Sequence, residues 1–188
     1  MEKDKSKKAE TGSLLVAEPF MQDENFKHTV LLMCEVSKKG AFGLVLNRPT
    51  GIMMHEAVDD FPSEEFMLYE GGPVEKDTVH FITTRGDLLE DSIEISAGIY
   101  WGGDFEQLKT LIDTGQVGLS DVRFFLGYSG WESGQLDSET SEGSWIISQA
   151  DPEWLFIDEP KQMWRNVLNR MGGNYKFIAN LPENPNLN

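Results

Sequence analysis

One cysteine, three histidines and half as many basic side chains as acidic ones, 16 against 32, are the scarcities of this 188-residue sequence. With Cys34 alone, no disulfide can form within the chain. Its place in the apolar run "VLLMCEV" reads as a buried thiol in a reducing cytoplasm. A formal charge of −16 repels phosphate backbones, and the basic residues are scattered, so direct nucleic-acid binding is disfavoured. The densest basic cluster, Lys161, Arg165 and Arg170, shares a candidate helix with apolar residues and reads as its wet face. No run of about 18 apolar residues occurs, so no membrane span is expected. The opening "MEKDKSKKAE" has no apolar stretch behind its lysines and does not read as a secretory signal. What is left is a chain 39% apolar, long enough to bury a core without metal or disulfide. Its acidity serves solubility alone or suits a partner of basic character.

Residues 1–11 read as a solvated tail. Order is expected from "GSLLVAEPF", a strand ended near Pro19, then "TVLLMCEV", apolar enough to be covered on both faces, returning as "FGLVLN" after a turn at Gly40. Pro49 is expected to break that strand. "MMHEAVDDFPSEEF" suggests a short helix and loop; "FMLYEGGPV", "TVHFITT" and "DVRFFLGY" suggest strands, and "SIEISAGIYWGG" a strand then a loop. "DFEQLKTLIDTG" predicts a helix capped by Asp104, with Gln107 reaching back, an apolar stripe of Phe105, Leu108, Leu111 and Ile112, and Gly115 at its end. "ESGQLDSE" predicts a helix containing Gly134, "SWIISQ" a strand, and "PKQMWRNVLNRMGG" a helix with Pro160 in its first turn. "NLPENPNLN", from about residue 180, reads as irregular. Strands come early and the strongest helices late, without alternation, which argues for a single α+β domain.

The stretch "FFLGYSGWESGQLDSE" raises the question of a serine nucleophile at Ser129. A nucleophile elbow needs small residues two before and two after the serine. Gly127 satisfies the first position, but Trp131, the bulkiest side chain, occupies the second. The base would have to be His28, His55 or His80. A sharp glycine turn that folds Trp131 onto the core explains the same residues better. "HEAVD" (His55–Asp59) echoes a zinc helix with Glu56 as base, but no third ligand accompanies it, so no metal is expected. "EGGPV", "AGIYWGGD" and "LGYSG" are candidate anion cradles. Gly102-Gly103 precedes a helix, yet Asp104 would compete for its amides, and no nucleotide fingerprint is present. No cofactor is therefore expected. Arg48, held extended by Pro49 beside Asn47, either pairs with carboxylates inside the fold or binds an anionic ligand, and internal pairing is favoured.

In order along the chain, "GSLLVAEP", "GLVLNRP", "EGGPV" and "LGYSGWESGQLDSE", continued by Trp145 and "WRNVL", resemble the AlgH/YqgE family of bacterial proteins over roughly residues 12–172. Two departures stand out: Ser129 lies where the family often has alanine, and the chain ends differently from the G-H-A type of many members. The resemblance implies an α+β fold with a barrel-like mixed sheet flanked by helices. The family's label, a transcriptional regulator linked to alginate synthesis, joined to the cytoplasm read from Cys34, gives the expectation of a cytoplasmic regulatory or binding protein that acts through partners.

Together these readings predict a non-enzymatic protein with a binding groove where "NRP", "GGPV" and "GYSGW…GQLDSE" meet. Asn47 and Arg48 would supply donors, Gly71, Gly72 and Gly130 backbone access, and Trp131, Gln135 and Glu139 further contacts. The occupant would be a protein or small-molecule partner. The alternative is an enzyme that anchors a small anion on Arg48 and uses Glu139 or Asp137 as general base.

Overall fold

A computed structural model describes residues 8–156 and 159–180. Residues 1–7 of the expected N-terminal tail and 181–188 of the expected C-terminal one lie outside the described residues. The chain forms a ten-stranded sheet curled into a half-barrel, antiparallel apart from one parallel pair, with helices around it.

β1 (Ser13–Ala17), β2 (Val30–Ser37) and β3 (Gly40–Val45) form an antiparallel meander. β2 shows no alternation because both of its faces are covered. Val30, Leu32 and Cys34 enter one core cluster, while Leu31 and Met33 enter another on the opposite face. Burial pushes the Cys34 thiol far above its ordinary pKa, so it stays protonated and inert. The short β4 (Pro49–Met53) pairs with β5 (Met67–Glu70), with the one-turn α1 (Met54–Ala57) between them. Pro49 therefore opens a strand; the expected break lies just before it, and a first strand position loses nothing by lacking an amide hydrogen.

β6 (Val74–Thr83) meets β8 (Ile99–Trp101), and β7 (Ile93–Ser96) pairs with β8 as a hairpin, so the loop expected after "EIS" is a returning strand. α2 (Phe105–Asp113) packs Leu108, Leu111 and Ile112 inward, and Asp104 accepts the Gln107 amide at 2.7 Å. The Gln107 side chain does not reach back to the cap; its Oε1 accepts the Glu90 amide at 2.8 Å.

β9 (Val122–Glu132) is the longest strand and corrects the sequence reading most. It does not end in a turn at Gly127. It runs through the glycines, pairing on one side first with β5 in parallel, up to Leu126, and then with β3 from Ser129 onward. β6 lies on its other side. Gly127, at φ +65°, sits where the neighbour changes, and a Cβ there would lie 2.6 Å from the Val74 carbonyl oxygen. Gly72 crosses so close that a Cβ would overlap the Tyr128 carbonyl and the Ser129 hydroxyl.

α3 (Gln135–Ser141) starts after Gly134, which is its left-handed N-terminal neighbour at φ +78° and not an interior residue. β10 (Trp145–Gln149) pairs with β1, and the short α4 (Pro152–Leu155) leads toward α5. α5 (Pro160–Met171) lays Met163, Trp164, Val167 and Leu168 into the half-barrel, where the Trp164 indole donates to the Ala17 carbonyl at 2.8 Å. α6 (Gly173–Ile178) follows. Residues 8–11, read as tail, are docked instead: Ala9 is buried beside Leu15 and Leu136, and Thr11 Oγ1 accepts the Val36 amide.

Gly72→Ala should therefore lower unfolding stability by about 3 kcal/mol or more. Gly51→Ala, at φ +81° but with open space around it, should cost only about 1 kcal/mol. Urea unfolding of both variants measures the difference, and equal losses would mean that the strands do not cross closely at Gly72.

Candidate functional site

The residues of the three loop motifs lie in separate places and do not line one groove. Gly71, Gly72 and Ser129 meet at a buried backbone junction. The Gly71 amide donates to the Leu126 carbonyl at 2.8 Å, and its carbonyl accepts the Val45 amide at 2.9 Å. Ser129 is fully buried in mid-strand and its hydroxyl donates to the same Gly71 carbonyl at 3.2 Å. That hydroxyl ties strands together. The glycines there give backbone access to each other and leave no room for a ligand.

Gly130, Trp131, Gln135 and Glu139 come together on the outer side of β9 and along α3, where they line a hollow of about 400 Å³. Glu139 is its fixed point. Its Oε2 accepts the indole N–H of Trp131 at 2.9 Å and that of Trp145 at 2.8 Å, while Oε1 accepts the Gln135 amide at 2.8 Å. Both indoles are almost fully buried, and α3 holds Gln135 and Glu139 one turn apart on the same face. Gln135 Oε1 in turn accepts the Glu132 amide at 3.0 Å, joining helix to strand.

The opposite wall is the loop 18–28. Phe26 stacks on Trp131 at 6.3 Å between ring centroids and meets Trp145 edge-on at 5.5 Å. Asn47 and Arg48 hold this loop in place. Asn47 accepts the Val30 amide and donates to the His28 carbonyl, both at 2.9 Å. Arg48 donates to the Glu24 carbonyl at 2.7 Å. Internal engagement of Arg48 is thus what the structure has, but the acceptors are loop carbonyls and not the expected carboxylates. Glu18, Phe20 and Met21 complete the hollow. Sequence reading passed over them because these residues show no period, and only the alternation of aromatic and acidic side chains in "EPFMQDENF" marked the stretch.

Asp137 lies elsewhere, lining a hollow of about 620 Å³ with Lys8 and Ala9, and it pairs with Lys8 at 3.4 Å. Arg48, Asp137 and Glu139 therefore have three different engagements. His55 and Asp59 do not share a helical face, because α1 is a single turn and Val58 is already extended; Glu56 accepts the Met53 amide instead. Among the described residues no group of three or more His, Cys, Asp or Glu could hold a metal. At Gly102-Gly103 the Asp104 carboxylate takes the helix amide that an anion would need.

His80 sits apart, in a cluster with Phe42 at 5.3 Å and Tyr128 at 5.8 Å. Its Nε2 is buried without a hydrogen-bond partner among the described residues. Burial lowers its pKa below the ordinary value, an effect partly offset by the Glu75 charge.

The curled sheet and the glycine crossing define the chain as an α+β protein built on a half-barrel sheet. The AlgH-like family model matches residues 14–176, and the chain belongs to that family. It is 47% identical over 177 residues to UPF0301 protein CT0663 of Chlorobaculum tepidum, covering 94% of this chain and 95% of that one. A UPF0301 protein of Cytophaga hutchinsonii is 43% identical over 178 residues, with 94% and 98% covered. Among solved structures, the solution structure of the AlgH protein from Pseudomonas aeruginosa superposes with a TM-score of 0.73 at 29% identity, covering 94% and 98%. The crystal structure of protein DIP2367 from Corynebacterium diphtheriae, at TM-score 0.74 and 24% identity over 93% and 94%, shares the fold.

Glu139→Ala should leave two buried indole N–H groups without an acceptor and cost about 2–4 kcal/mol, with Glu139→Gln costing less. Urea unfolding followed by tryptophan emission measures both. For His80, the depressed pKa means that stability is full above the unfolded value of about 6.5 and is lost as pH falls through the folded value. His80→Phe, which keeps an aromatic ring, should therefore lose less thermal stability than the parent between about pH 7.5 and 5.5, as read by calorimetry.

Proposed function

We propose that this chain is a non-enzymatic cytoplasmic binding protein whose working surface is the hollow between α3 and the loop 18–28, and that it acts by docking on a protein partner. One observation carries the reading: both oxygens of Glu139 are already engaged by Trp131, Trp145 and Gln135. Three of the carboxylate's roughly four lone-pair sites are taken by these donors, which makes it a tie that stiffens an aromatic floor. A floor fixed in advance lowers the ordering cost of association. Phe20, 59% exposed at the rim, offers the kind of aromatic anchor that dominates protein contacts. Influence on transcription, the label attached to the family, would then pass through the partner, since the −16 charge opposes a direct hold on DNA. The single buried thiol accords with a reducing compartment.

A photo-crosslinking phenylalanine derivative at Gln22, on the rim, should give a discrete protein adduct in cells. The same derivative at Glu106, exposed on α2, should not. Phe20→Ala should diminish the Gln22 adduct. Identical adducts at both positions, or indifference to Phe20→Ala, would refute docking at this surface.

A further inference from the structure

Glu18, just past the end of β1, lines this hollow, and its side chain has no hydrogen-bond or ion-pair partner among the described residues. The residue is half-buried, and its side chain has gained no internal donor among the described residues. Asp23 lines the same hollow, its Oδ1 turned to the Asn25 amides. Among the residues lining the hollow none is basic, while Phe20 stands exposed beside the two acids. This is the environment a long cationic side chain needs: an apolar ring for its methylene stem and uncompensated negative charge for its head.

We infer that the partner presents a lysine- or arginine-bearing segment, with the cationic head received by Glu18 and Asp23 and the stem laid against Phe20. This rests on the hollow being the docking surface and adds the chemistry of its occupant. An acidic segment would meet Glu18 and Asp23 with like charge, and a purely apolar one would bury the free carboxylate of Glu18 with no donor for it. The protein's overall charge of −16 also speeds the approach of a basic partner at low salt.

The test uses the full chain and fluorescent peptide pools, random except for a central Lys, Arg, Leu or Glu, read by anisotropy. Lys and Arg pools should bind, weaken with added salt, and weaken roughly fivefold or more in the double variant Glu18→Gln, Asp23→Asn. That variant should unfold near the parent's temperature, because the Glu18 side chain has no partner to lose and Asp23→Asn keeps an Oδ1 that can accept from the Asn25 amides. Phe20→Ala should weaken the same pools. If the Leu or Glu pool binds as well as Lys and Arg, or if the charge variant binds the basic pools undiminished, the basic partner is overturned. A Leu or Glu pool that binds best and is lost on Phe20→Ala would overturn the basic partner while leaving the docking surface standing. Failure of every pool, together with no adduct at position 22, would sink both.

Discussion

The architecture turns on a change of neighbours along β9. One long strand must lie beside β5 for its first half and beside β3 for its second, with β6 following on the other side. At the changeover the outgoing backbone of Gly71-Gly72 has to pass within van der Waals distance of Gly127, Tyr128 and Ser129. Only residues without a Cβ permit that approach, so the glycines fix where the sheet curls. From this crossing follow the three core clusters: Phe125 faces α5, Phe124 faces α2, and Trp131, beyond the kink, joins α3 on the outer layer. Ser129, so suggestive in the sequence, is one more tie at the same junction, through the carbonyl it shares with Val45.

Much of this was legible in the residues, for reasons that can be named. The β1–β3 meander and α2 announce themselves by apolar pattern, by the turn at Gly40 and by the Asp104 cap, all of them local signals. α5 is equally plain, since Met163, Trp164, Val167 and Leu168 recur at helical spacing and all are buried. The errors share a different cause. Gly127, Gly130 and Gly134 look alike in a sequence, yet the first kinks a continuous strand, the second lies exposed in it and the third precedes a helix. Local rules read glycine as turn, whereas here the reason for Gly127 is a partner strand more than fifty residues away. The site divides the same way. Gln135 and Glu139, four apart on a helix, were readable as a pair; the loop 18–28 opposite them was not, because its place depends on Asn47 and Arg48 reaching across some twenty positions.

The hollow is assembled by polar ties whose partners are themselves tied. Glu139 holds two indoles, Gln135 holds Glu139 and the Glu132 amide, and Asn47 and Arg48 hold the loop that carries Phe26 onto Trp131. Each bond is modest alone, but a chain of them restricts the aromatic walls to one arrangement. At the rim the backbones of Glu18 and Phe20 are tied, but among the described residues their side chains have no such bond, so charge and ring stand beside a floor that is already set. In this hollow the acids Glu18 and Asp23 and the ring of Phe20 line the same wall.

The pairing of β9 with β3, β5 and β6, and of β10 with β1, also constrains how the protein is made. A ribosome adding roughly 5–20 residues per second takes several seconds to pass from β2 to the end of β9. Through that interval the newborn meander can form its hydrogen bonds, yet "VLLMC" stays bare on both sides, since its covering layers, α3 and α5, are synthesised still later. The same wiring that makes the finished sheet secure leaves the nascent chain sticky, and dependent on whatever shields emerging polypeptides in the cell.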